Sequence, residues 1–253
     1  METRASVTAV IPTKNVDSII RPTLESLRFC DEVVVVDMFS TDSTRALCEQ
    51  YPNVRFVERQ DYIYGNFNHG AELASSEWII RIDSDEVISP PLRDSILQKL
   101  ETNSGDVAAY EAFCHLFFFG QRLRHGFGDK WRTMLFRKGA AKYPVKNEHE
   151  GLLIEGRVGR LSGYYEHHTN PTISAWMSKI NYYTDRDVER VNLLPYSRVK
   201  MIYRIMRIFQ RLYFRPGWLC RDGYLGFVVA GLSAGSLFLE DCKVWERSLK
   251  VTQ

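Results

Sequence analysis

The stretch Trp78-Ile79-Ile80-Arg81-Ile82-Asp83-Ser84-Asp85-Glu86 decides how this chain folds. A short apolar strand runs from Trp78 to Ile82 and stops abruptly at carboxylates on alternate positions. The same pattern occurs three times upstream. Val7–Ile11 runs into Thr13-Lys14-Asn15, Glu32–Val36 runs into Asp37 and Ser40-Thr41-Asp42, and Val54–Val57 precedes Arg59-Gln60-Asp61. Near-continuous apolar strands separated by helix-like stretches predict an α/β fold with a mostly parallel sheet flanked by helices. Ligands of such sheets sit beyond the carboxyl ends of the strands, so the polar clusters are expected to converge on one crevice. Helix signals lie between them: Ser40-Thr41-Asp42-Ser43 offers caps ahead of Arg45–Gln50, and Pro90-Pro91 leads into Leu92–Leu100.

Composition narrows the class. Lys+Arg 33 against Asp+Glu 31 leaves a formal charge of +2 over 253 residues, too balanced for the basic stripe that binds nucleic acid. Hydrophobic residues at 45% and charged residues at 25% exclude global disorder. Cys30, Cys48, Cys114, Cys220 and Cys242 are widely spaced, with no C-x-x-C pair, which points to a reducing cytoplasm rather than a disulfide framework or zinc knuckle. The segment Met1–Ser6 enters a strand without the apolar core of a signal peptide, so export is not expected.

From about Asp106 the texture becomes aromatic and irregular. Helical patterns return from Thr172 to Arg190 and from Ser197 to Arg215. In the second of these, Lys200, Arg204, Arg207 and Arg211 share one face, opposite Met201, Ile205, Ile208, Phe209 and Leu212. A basic amphipathic helix of this kind is either a surface helix with a solvated side or a helix drawn to anionic lipid. Gly223–Leu239 is an uncharged run of 17 residues, just under spanning length and diluted by four glycines. It reads as a packed or interfacial segment, a membrane span, or an ordinary core helix.

Asp83 and Asp85 offer hard oxygens to Mg²⁺ or Mn²⁺ in a site shared with phosphate. The competing reading is that Asp85 and Ser89 merely cap a turn and a helix. Asp37, at a strand end, is placed to bind ribose hydroxyls or a base edge. Neither G-x-G-x-x-G nor G-x-x-x-x-G-K-[ST] occurs, so a metal is expected to meet the phosphates instead.

Ile11-Pro12-Thr13-Lys14-Asn15, Val33–Asp37 with Ser40-Thr41-Asp42-Ser43-Thr44, Asn68, and Ile82-Asp83-Ser84-Asp85-Glu86 resemble family-2 glycosyltransferases of the GT-A fold. Trp131–Arg137, Asn147-Glu148-His149-Glu150-Gly151, His167 and the basic apolar C-terminus are similar to the bacterial lipopolysaccharide inner-core β-glucosyltransferase-like subgroup. The resemblance implies a divalent-metal-dependent, inverting transfer from a nucleotide-sugar, with a UDP-sugar as the expected donor, to a glycan or glycolipid acceptor. By matched position, Thr13, Asn15, Asp37, Asp42 and Asn68 contact the nucleotide-sugar, Asp83 the ribose or metal, and Asp85 the metal. His167 matches the family pattern as a further metal ligand, or is a loop or core histidine. Glu150 is the expected general base, because single displacement needs one group to take the acceptor proton, and His149 is the alternative. Trp131, Arg132 and Arg137 are expected on the acceptor or phosphate side, or as packing and surface residues.

Departures from the family pattern fall at Val16, Met38-Phe39 and Asn66-Phe67-Asn68. The implied organisation is a GT-A catalytic domain over 1–190, with a nucleotide half (1–105) and an acceptor half (106–190). A C-terminal helical region over 191–253 follows, expected to bind an anionic membrane surface through its basic helix. The implied location is peripheral, on the inner face of the cytoplasmic membrane. The alternative from another class is a non-catalytic nucleotide-sugar or lipid-binding module that retains the core.

Overall fold

The computed structural model describes residues 4–102, 105–126, 128–144, 151–169, 171–190, 198–214 and 218–251. Chain order is β1 (Val7–Thr13), α1 (Ile20–Ser26), β2 (Glu32–Asp37), α2 (Thr44–Cys48), β3 (Val54–Glu58), α3 (Ile63–Leu73), β4 (Trp78–Arg81), β5 (Glu86–Ile88), α4 (Pro90–Thr102), β6 (Val107–Phe118), β7 (Gln121–Leu123), β8 (Lys130–Arg137), β9 (Ala141–Lys142), β10 (Leu153–Ile154), β11 (Arg157–Thr169), α5 (Ile173–Arg190), α6 (Arg198–Phe214), a 3₁₀ turn (Leu219–Asp222) and α7 (Gly223–Val251). Two compact units result. The first is Met1–Cys114 with Lys130–His167; the second is His115–Asp129 with His168–Gln253.

The main sheet of the first unit runs β3-β2-β1-β4-β8-β6-β11-β5. Its β3, β2, β1 and β4 are mutually parallel, as the repeated strand-and-helix pattern requires. Beyond β4 the added strands pair antiparallel: β8 with β4, β6 with β8, and β5 with β11. From β1 the chain moves outward to β2 and β3, then returns to place β4 on the other flank of β1. This reversal is a topological switch point, the position at which sheets of this kind form a ligand crevice, here beyond the ends of β1 and β4.

Alternation along the strands sends residues into two cores. Val7, Ala9 and Ile11 of β1 join Val33, Val35 and Ile80 under Ile20 and Leu24 of α1 and Leu92 and Ile96 of α4. Val10, Val34, Val36 and Ile79 face the other way, onto Phe67 of α3. Each such fully buried side chain contributes about 1.5–3 kcal/mol. Helix α3 lies close on the sheet at Gly70, where a Cβ would stand 2.4 Å from Val10 Cγ1 and 2.9 Å from Val36 Cγ2.

The second unit has its own core. The end of β6 folds back through Phe119 and Gly120, both left-handed (φ 52° and 72°), to pair with β7. Leu116, Phe118 and Leu123 of this hairpin pack with Trp176 of α5, Leu219, and Val229 and Ala230 of α7. Residues 168–190 thus pack with the C-terminal helices. The reason is Trp176, which is buried in that core rather than against the main sheet. The basic stripe of α6 is also divided. Arg204 reaches back to the buried Asp241 of α7 at 2.6 Å, leaving Arg207 and Arg211 exposed.

Candidate active site

The loops after β1 and β2 are built as one piece. Asp37, buried at the end of β2, accepts hydrogen bonds from Thr13 Oγ1 (2.8 Å), Ser40 Oγ (2.6 Å) and the Ser40 amide (2.6 Å). Asn15 sits in the left-handed region (φ 51°), which asparagine tolerates; its Oδ1 accepts the Thr41 amide at 2.8 Å, and its own amide donates to Ser40 Oγ at 2.7 Å. Asp42 accepts the Asp17 and Thr44 amides at 3.1 and 3.0 Å, so Asp42, and not Ser43, satisfies the start of α2. Thr13, Asn15, Asp37 and Asp42 therefore lie together at the crevice edge, with their polar atoms largely engaged in shaping it.

A second cluster forms where β4 ends. Its antiparallel pairing with β8, with Trp78 opposite Arg137 and Ile80 opposite Leu135, carries Arg132 back to the Asp83 end. Asp83 is bonded by Arg81 Nη2 at 2.9 and 3.1 Å and lies 3.6 Å from Arg132 Nη1. Burial raises the Asp83 pKa, but Arg81, then Arg132 and His167, outweigh it and lower it to about 2. Two guanidiniums balance the charge of this carboxylate. Asp85 instead meets His167 of β11, with Nε2 to Oδ1 at 3.4 Å. Burial works against the imidazolium, but hydrogen bonds to Asp85 and Cys114 and the field of Glu86 outweigh it and raise His167 to about 10. Among the described residues no group of three or more His, Cys, Asp or Glu is arranged to hold a metal ion by itself.

The remaining expected residues divide. Asn68 spends its amide on the backbone of Tyr143, donating at 2.8 Å and accepting at 3.0 Å, so it fastens α3 to the segment after β9. Trp131 neighbours Arg132 on β8 but faces Phe113 and the Arg160 guanidinium, and is 39% exposed. Arg137 is not brought to the crevice. It stacks on Trp78 at the start of β4 and pairs with Glu77, at the opposite end of the strand. His149 and Glu150 lie outside the described residues.

The model of the family described as "Glycosyl transferase family 2" matches residues 8–154, which include the first cluster and, of the second, Arg81, Asp83, Asp85, Glu86 and Arg132 but not Tyr165 or His167. The chain belongs to glycosyl transferase family 2. This glycosyltransferase is similar to the lipopolysaccharide core biosynthesis glycosyltransferase LpsC of Rhizobium meliloti, with 29% identity covering 95% of this chain and 92% of LpsC. It is also similar to an uncharacterized glycosyltransferase of Rickettsia felis, 25% identical over 96% of this chain and 91% of the relative. Among solved structures, S. aureus TarS in complex with UDP-GlcNAc aligns over 93% of this chain and 81% of that one, with 16% identity and a TM-score of 0.47.

Three residues of the glycosyltransferase's second cluster escape a reading of the sequence: Arg81, Glu86 and Tyr165. Glu86 is fully buried. One of its oxygens accepts the Asp83 amide at 2.9 Å; the other takes the Arg132 guanidinium and lies 3.7 Å from His167 Nδ1. It thereby sets the turn that presents Asp83 and Asp85, orients the histidine, and holds Arg132 over the Tyr165 ring. The available signal was adjacency: a carboxylate directly after Asp83-Ser84-Asp85, entering a strand, must find a cation if it is buried.

Proposed function

We propose that this glycosyltransferase transfers a sugar from a nucleotide-sugar, specifically a UDP-sugar, to a glycan or glycolipid acceptor in the assembly of lipopolysaccharide or another cell-surface polysaccharide. The reading includes inversion at the anomeric carbon and a peripheral position on the inner face of the cytoplasmic membrane. Similarity to LpsC along nearly the whole chain supports the pathway. The observation that carries the chemistry is the Asp85–His167 pair, 3.4 Å apart, with Asp85 in the turn after β4 and His167 on β11.

That pair fits Mg²⁺ or Mn²⁺. One carboxylate and one imidazole leave most of a coordination shell to water and to diphosphate oxygens, the usual arrangement where a cation is shared with phosphate. A divalent ion held by Asp85 and His167 supplies positive charge against the leaving diphosphate. The chain's own residues do the rest. Asp83, ionised and fixed by Arg81, offers its remaining lone pairs to a ribose hydroxyl. Thr13, Asn15, Asp37 and Asp42 hold the two loops that shape the nucleotide end. Arg81 Nη1 and Arg132 Nε have no hydrogen-bond partner among the described residues, and their charge adds to the positive field at the crevice. Glu150 is assigned the general base by the resemblance, taking the acceptor proton as the hydroxyl attacks from the face opposite the diphosphate.

The test is transfer measured with Asp85→Asn, His167→Ala and Glu150→Gln, alongside circular dichroism. Each is expected to lower kcat about 100-fold or more with the fold retained, and the product anomer is expected to be opposite to that of the donor. Full turnover in Asp85→Asn would remove the metal from the reading. Tight donor binding without turnover on any acceptor would leave a nucleotide-sugar-binding module in place of the enzyme.

A further inference from the structure

Helix α7 exposes large apolar side chains along one side. Tyr224, Phe227, Phe238, Trp245 and Leu249, each 45–82% exposed, fall on one seven-residue repeat whose intervening positions are Gly231, Gly235 and Cys242. Gly231 and Gly235 continue the line between Phe227 and Phe238, and a Cβ at either would meet nothing within 4 Å. The stripe does not stop at the edge of α7. Met206 and Phe214 of α6 lie across an apolar groove of about 710 Å³ floored by Gly231, Ala234 and Gly235, and Ile202, one turn before Met206, is 55% exposed. Two helices thus present one continuous greasy surface, well beyond the scattered apolar residues of an ordinary monomer.

The chemistry beside the surface identifies what covers it. One step round α6 from Met206 and Phe214 stand Arg207 and Arg211, both exposed and with no acidic partner among the described residues. Tyr224 and Trp245 place amphipathic rings towards the two ends of the stripe, the residue types that prefer a membrane–water boundary. The segment Leu219–Leu249 is long and apolar enough to cross a bilayer, yet its other face is committed. That face carries the Arg204–Asp241 pair, with Asp241 buried, and Lys243 bonded to Asp185 and Asn181 of α5. Drawing those charges into hydrocarbon would be costly, so the helix lies along a membrane and does not span it.

We infer that the exposed face of α6 and α7 docks on an anionic lipid bilayer, with the aromatic stripe immersed at the headgroup boundary and Arg207 and Arg211 against the lipid phosphates. The inference rests on the peripheral placement proposed above and names its surface: apolar burial does most of the work, and Arg207 and Arg211 supply the electrostatic part.

The experiment is flotation of the full chain on vesicles of phosphatidylcholine alone and of phosphatidylcholine with phosphatidylglycerol, with circular dichroism and sedimentation equilibrium on every variant. Flotation is expected with the anionic vesicles. Phe227→Asp with Phe238→Asp abolishes it, the milder Phe227→Ser with Phe238→Ser weakens it, and Arg207→Gln with Arg211→Gln lowers partitioning roughly 20-fold. Wild-type chain left at the bottom of the gradient, or a folded Phe variant that floats like wild type, overturns the inference. So does a dimer in solution that the Phe variants split while vesicles capture neither form. Donor hydrolysis in solution reads the catalytic proposal separately, and these variants are expected to leave it unchanged.

Discussion

His167 is a cation in the metal-free chain, and that fixes a sign. Its folded pKa of about 10 lies above the ordinary 6.5, so the stability it contributes is fully present below about pH 6.5 and is lost as pH rises through 10. A metal ion must displace that proton. Mn²⁺ binding is therefore expected to tighten about tenfold per pH unit between pH 7 and 9, releasing one proton, as calorimetry in buffers of different ionisation enthalpy would show. Asp83 works in the opposite sense: its folded pKa of about 2 lies below the ordinary 3.8, so its contribution is present above that value and lost as pH falls towards 2. Glu86 has no exposure, and it holds Arg132 and the Asp83 amide. Glu86→Ala is expected to cost about 3 kcal/mol in urea unfolding, because Arg132 loses its buried partner. Glu86→Gln, which can still accept the Asp83 amide, is expected to recover part of that loss.

At the scale of elements, the parallel half of the sheet was legible because its strands are buried on both faces and so spell continuous β-branched runs. Val33-Val34-Val35-Val36 is the plainest example. What the pattern could not carry was the partnering across long sequence separations. Arg132 meets Glu86 only because β8 runs antiparallel to β4, and His167 meets it only through the register of β11 on β5, where His167 stands opposite Glu86. Arg137 takes its packing place for the same reason, since five residues along β8 separate it from Arg132. Helix α3 owes its position to a missing side chain. Gly70→Ala drives a Cβ into Val10 and Val36, and although alanine is the better helix former, the clash is expected to dominate. The expected result is a loss of about 1–3 kcal/mol in denaturant unfolding.

For the whole molecule, the crevice is a product of topology and the exposed apolar face of α6 and α7 a product of leftover apolar area. The first was foreseeable from the order of strand, polar cluster and helix. A membrane-binding C-terminal region was expected too, but not which residues stay exposed, because a sequence window reports total apolarity and not which half of a helix its neighbours cover. The division into units also depended on tertiary partners, with Trp176 joining Leu219 and Val229. Ending the chain after His167 is accordingly expected to yield insoluble protein, since Leu116, Phe118 and Leu123 of the hairpin would lose the helices that bury them. The soluble fraction after expression, compared with that of the full chain, measures this.

The hairpin of β6 and β7 enters the second unit from a strand of the first, and β11 leads the chain across again. A chimaera that grafts the helical unit of one homologue onto the sheet of another therefore needs two splices, one carrying His115–Asp129 and one carrying everything from His168 onward. A single recombination point mismatches a hairpin with foreign helices. Gene exchange among such enzymes is expected to preserve the two stretches as a matched set, so that they change together or not at all.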